Sequence, residues 1–194
     1  MAGNLKLYLG AEAINHYAVF LREVGTPLFP RGTLLWVARL VLLAMVGIHM
    51  ASAARLTVMA QAARPVGYTR VENVRSTYAS RTMRWGGLLI LLFVIYHLLH
   101  LTFGWVHPSF REGDVYHNVV AGFRVPLVAA FYVLANVALG MHLAHGLWSM
   151  FQTLGLSSPR FNPWRRTFAN AFAAIVTIGN VSFPIAVLLG LVSE

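Results

Sequence analysis

The chain contains no cysteine among its 194 residues. That excludes disulfides, cysteine-ligated iron–sulfur clusters (Rieske centres included) and covalent c-type haem within it. Charge is scarce as well: 11% of residues are charged, where a soluble domain of this length carries about 25%. Lysine occurs once, as Lys6, so nearly all of the basic charge is Arg. No stretch shows strand alternation, and there is neither an internal repeat nor a low-complexity segment. The N-terminus, MAGNLKLYLGAEAINHY, has no basic n-region and no continuous apolar h-region, so it does not read as a signal peptide.

What is present is apolar. Hydrophobic residues make up 58% of the chain and its mean hydropathy is +0.64, which makes the bilayer the expected solvent. Four runs, roughly 33–57, 85–106, 125–152 and 167–191, are long enough to span about 30 Å of hydrocarbon as helices. The expected fold is an all-α transmembrane helix bundle with four spans, forming one membrane-anchor domain over 1–194. Pro126 opens the third run, and Asn162-Pro163 reads as a cap followed by Pro at the first helical position. Pro184 interrupts the fourth run and predicts a kink there.

Residues 1–30 differ. Leu9, Ala13, Tyr17, Phe20, Leu21 and Val24 share one helical face, and Glu12, Asn15, His16, Arg22 and Glu23 share the other. That pattern predicts an amphipathic helix lying in the membrane interface, ended by Gly25, Pro27 and Pro30.

The basic excess sets orientation. Nine Arg (55, 64, 70, 75, 81, 84, 160, 165 and 166) flank the 58–84 and 153–166 loops, against Glu72 alone. The other side holds six basic and five acidic residues. The positive-inside rule places both basic loops in the cytoplasm and gives the excess a membrane meaning, not a nucleic-acid one.

Four imidazoles then fall at membrane depth, in IYHLLHLTFG (95–104) and GMHLAHGLWS (140–149), and a fifth at His49. His49 is 16 residues after Thr33 and His142 is 16 after Pro126, so both lie about 24 Å below the outer face at 1.5 Å per residue. His97, 13 residues after Arg84, lies at a separate level about 10 Å from the outer face. Two histidines at one depth on different helices can clamp a b-type haem from opposite sides. A lone intramembrane histidine more often bonds a neighbouring helix or lines a proton path; it is the matched depth of His49 and His142 that points to haem. Members of an HxxH pair share a helix face, so spacing cannot choose between His97 and His100, or His142 and His145.

Arg55, Arg81 and Arg84 sit at the inner helix ends, where they can contact haem propionates or a quinone carbonyl, although snorkelling is the plainer account. Tyr78, Ser80 and Trp85 lie beside them. His16, His107 and His117 read as solvated interfacial residues, Trp36, Trp105 and Trp148 as belt aromatics, and Asn136 and Asn180 as interhelix hydrogen-bonding groups.

The stretches YASRTMRWGGLLILLFVIYHLLHLTFG, GDVYHNVVAGF and ALGMHLAHGLWSMFQTLG resemble the membrane cytochrome b subunit of succinate:quinone oxidoreductases. The resemblance is to the single-chain, five-helix, dihaem type that serves bacterial succinate dehydrogenase and fumarate reductase. It implies an anchor in the bacterial cytoplasmic membrane that takes electrons from an iron–sulfur subunit, itself fed by a flavoprotein subunit, and passes them to a quinone, with menaquinone expected. By position it implies His49 and His142 as axial ligands of the inner haem b and His97 as a ligand of the outer one. The family's first helix, which carries the partner of His97, has no counterpart here. That predicts a chain start upstream, or a further membrane helix from another polypeptide, or a one-haem protein. A haem-free quinone-binding anchor and a cytochrome b subunit of another respiratory dehydrogenase are the competing expectations.

Overall fold

A computed structural model describes residues 3–63 and 78–194, with side chains from Met83 onward in the second stretch. The described residues are helical, without a strand. The helices are α1 (Ala11–Glu23), α2 (Thr33–Ala62), α3 (Tyr78–His97), α4 (Val115–Phe123), α5 (Pro126–Thr153) and α6 (Asn162–Leu188). A 3₁₀ turn, Asn4–Leu9, precedes α1, and a π turn, Leu98–Thr102, continues α3.

Four helices are long and apolar enough to cross a membrane: Thr33–Ala62, Met83–Thr102, Pro126–Thr153 and Asn162–Leu188. They coincide with the four hydropathic runs. The ends differ where backbone chemistry intervenes. The second span stops at Thr102 because the π turn loosens the ladder and Gly104 follows at φ +72°. A Cβ at Gly104 would lie 2.2 Å from the Phe110 ring, so this corner needs glycine. The fourth span starts earlier than its apolar run, at Asn162, with Pro163 in its first turn. It continues through Pro184, which is fully buried.

Contacts divide the chain into two units. The first holds the residues up to His16 together with α3 to α6. Water cannot drive helix against helix in lipid, so small residues at the contact do the work. On α5 and α6 these are Ala135, Gly140, Ala169 and Ala173, all buried. A Cβ on Gly140 would come within 2.1 Å of Thr177 Oγ1, which shows how closely α5 and α6 approach. The α3–α5 register is antiparallel: Met83 lies against Gly146, Gly87 against His142, and Phe93 against Phe131 and Tyr132.

Apolar runs do not announce α4. Asp114 caps it by accepting from the His117 amide at 3.1 Å. Asn15 donates to the same carboxylate at 2.9 Å and accepts from the Tyr116 amide at 3.0 Å. Leu7 and Ile14 are buried in this unit's core, and Tyr8 donates to Ser182 at 2.6 Å. Asn15, assigned to the polar face of an interfacial helix by its sequence position, is therefore a bonding group between α1 and α4.

The second unit runs from Tyr17 through α2. Gly32, at φ +84°, caps α2 and donates to Arg22 O at 2.7 Å. No residue of α2 is buried.

Candidate functional site

The first unit forms a partly open cavity of about 390 Å³, within the size range of small-molecule and cofactor sites. His97, Phe93 and Leu101 line it from α3 and the π turn, and Tyr132, Asn136 and Leu139 from α5. Asn180 and Phe183 come from α6, Asn118 and Phe123 from α4, and Asn4, Leu7 and Ile14 from the N-terminal segment. Among the described residues, no Asp, Glu, Lys or Arg lines it. Its polar groups are an imidazole, a phenol, a Thr hydroxyl and four carboxamides, with an apolar remainder.

The π turn separates the fates of the first HxxH pair. His97 ends α3 and lines the cavity. His100 is fully buried, stacked on Tyr96 with ring centroids 5.4 Å apart and 4.8 Å from the His107 ring. A Cβ on Gly122 would meet His100 Cε1 at 2.7 Å, so the α4 backbone closes over that imidazole. Tyr132 joins the pair: its hydroxyl is 3.0 Å from His100 Nδ1 and 3.3 Å from His97 Nδ1.

The polar residues beyond this level are built in. The Ser109 amide donates to His107 Nδ1 at 3.1 Å, which leaves Nε2–H to donate to Asn118 O at 2.7 Å. Asn118 holds the same loop by accepting from Arg111 N at 2.8 Å and donating to Arg111 O at 2.7 Å. His117, expected to be solvated, is buried between Ser109 and Glu194. Hydrogen bonds from Asn15 and the His117 amide hold the Asp114 carboxyl below the ordinary carboxylate range. Asn136 donates to Tyr132 O of its own helix at 2.9 Å.

His142 stands at the second level. Its ring faces α3, with Cε1 3.6 Å from where a Gly87 Cβ would be, and its Nδ1 is buried. Gly87 is ten residues before His97, so the two histidines are separated by about 15 Å along the helix axes. The depth count from the sequence gives nearly the same spacing. His145 is half-buried one turn further on.

Of the other candidates, His49 and Arg55 are exposed on α2, and Arg84 is exposed on α3. Trp85 is 76% exposed. The side chains of Tyr78, Ser80 and Arg81 lie outside the described residues. Arg165 is buried with its guanidinium 4.3 Å from the Trp148 ring centroid and bonded to Asn162. Among the described residues, no group of three or more His, Asp or Glu is placed to hold a bare metal ion. Single histidines at separate levels suit a metal carried in a macrocycle, which brings its own equatorial donors. At the cavity, the described lining would offer such a group the His97 imidazole.

Residues 68–181, well over half of the chain, match the succinate dehydrogenase/fumarate reductase transmembrane subunit family. The chain belongs to that family. It is an integral membrane protein and an anchor subunit of the succinate dehydrogenase/fumarate reductase class. No curated protein and no solved structure matches it. The family match takes in His97, His142, the cavity-forming α4 and most of α6, whereas His49 on α2 lies before it.

Proposed function

We propose that this subunit is the haem b-bearing anchor of a succinate:quinone oxidoreductase, conducting electrons from an iron–sulfur subunit to a quinone, with menaquinone expected. The observation that carries the reading is the register of α3 on α5, which sets His97 and His142 at two levels about 15 Å apart. Haem, when bound, supplies a one-electron carrier. His142 and His49 are the candidate ligands of the inner haem, by the matched depth of their sequence positions. His97, whose Nδ1 is 3.3 Å from the Tyr132 hydroxyl, is the candidate ligand at the outer level.

Family membership favours this reading over a cytochrome b subunit of another dehydrogenase. The basic loops 58–84 and 153–166 would face the cytoplasm and dock the iron–sulfur subunit, to which the flavoprotein binds. Arg55, Arg81 and Arg84, by their sequence positions at inner helix ends, are the candidates to contact propionates or a quinone carbonyl. Its proposed work is conduction, quinone binding and anchoring.

The cavity also supports the haem-free alternative at its own level. Neutral carboxamide, phenol and imidazole groups around an apolar body fit a ligand with carbonyl acceptors and a greasy ring. A reduced-minus-oxidised spectrum of the purified complex, with haem counted by pyridine haemochrome, separates the readings. A succinate-reducible b-type α-band is expected. A complex that reduces quinone with no haem would leave the quinone-binding anchor alone.

A further inference from the structure

We propose that Tyr132 is a positioning residue that locks the imidazoles of His97 and His100 into opposite tautomers and so makes His97 the member of the pair that presents Nε2 to a ligand. The inference rests on reading His97 as an axial ligand, and it starts from one shared hydroxyl. Tyr132 Oη lies 3.0 Å from His100 Nδ1 and 3.3 Å from His97 Nδ1. A phenol carries one proton. It can donate to one of these nitrogens and must accept from the other. With both bonds made, one ring carries its proton on Nδ1 and its partner does not.

The phenol is not free to turn away. Tyr132 is 4% exposed, and the rings of Phe93 and Phe123 pack edge-on against it with centroids 5.1 and 4.8 Å away. Nor can His100 take the ligand's place. Its Nε2 is buried, has no hydrogen-bond partner among the described residues, and faces Gly122, where a Cβ would stand 3.0 Å away. The α4 backbone at Gly122 approaches that nitrogen closely, so a bulky ligand there would have to displace it. His97 lines the cavity, and its Nδ1 is committed to Tyr132. Nε2 is the nitrogen it has left.

An axial bond through Nε2 requires the proton on Nδ1. His97 then donates to Tyr132, and Tyr132 donates to His100 Nδ1. The ligand histidine thus gains a hydrogen-bond acceptor behind it, which fixes ring orientation and raises ligand basicity, as partners behind metal-bound histidines do. His100 is the far end of that relay and serves as a tautomer partner.

The test is ¹⁵N NMR of histidine-labelled protein in the reduced complex, where low-spin ferrous haem is diamagnetic, with His97 and His100 assigned. His97 protonated on Nδ1 and His100 on Nε2 is expected, whether or not haem is bound. The reverse pair of tautomers would overturn the proposal, as would two rings of the same tautomer. Tyr132→Phe keeps the ring packing and removes only the hydroxyl. Its expected effect is an upward shift in the midpoint potential of the haem at the His97 level, because the ligand becomes less basic, with the haem at the His142 level unmoved. Equal potentials in variant and wild type would overturn the positioning role. His97→Ala tests the underlying reading by itself: unchanged haem content there refutes the ligand assignment, while the tautomer measurement still decides the coupling.

Discussion

The two histidine levels of one helix pair are built in opposite ways. At His97 the helix widens into a π turn, a cavity opens, and a Tyr–His–His cluster is enclosed by α4 and the N-terminal segment. At His142 the helices close up, a glycine sits against the ring, and α5 meets α6 at Gly140 and Thr177. The first level is a prepared pocket whose polar groups are satisfied largely within the chain. The second is a close-packed level with a half-buried imidazole against α3. The difference shows that membrane depth locates a ligand, while the neighbouring backbone decides what that ligand can do.

The contrast can be broken glycine by glycine. Gly140→Ala places a methyl 2.1 Å from Thr177 Oγ1 and loosens the α5–α6 contact that both levels rest on. A loss of about 1–3 kcal/mol is expected, read as a lowered thermal midpoint of the complex with haem loss at both levels. Gly122→Ala brings a methyl within 2.7 Å of His100 and 3.1 Å of His107 Nε2. It should cost up to a similar amount, about 1–3 kcal/mol, but disturb only the His97 level; an optical spectrum that changes at His142 instead would contradict the separation. Gly87→Ala meets His142 at an ordinary 3.6 Å. It should be neutral or, by helix propensity, more stable by about 0.5–1 kcal/mol, with the thermal midpoint as the check.

The smallest effect concerns the cap over the His97 level. The Asp114 carboxyl titrates below its ordinary value because Asn15 and the His117 amide bond its charged form. Its contribution is therefore present above about pH 3.9 and lost as pH falls through the lower folded value. Wild type should lose stability over that acidic window more steeply than Asp114→Asn, in thermal melts across pH. Parallel curves would mean that the cap carries no linkage.

All four spans were legible as apolar runs, because lipid forces the backbone to satisfy itself within each helix. The two histidine levels were legible too, since rise per residue converts position into depth. The site around His97 was not. A π turn leaves no trace in a 3.6-residue pattern. Tyr132 reads as one more aromatic in an apolar run, and its partners lie 32 and 35 residues away. His117 looked solvated because its acceptor, Glu194, is 77 residues distant. Asn118 pins a loop through backbone bonds that only the fold creates. The HxxH spacing put both histidines on one face, and the widened turn sent them to different neighbours.

Haem stoichiometry in four proteins tests the central claim most directly: wild type, His97→Ala, His142→Ala and the double variant, each purified as the complex and assayed by pyridine haemochrome. The account predicts that each single variant loses the haem of its own level and keeps the other, and that the double variant has none. If both single variants retain the full wild-type haem content, neither histidine is a ligand and the two-level reading fails.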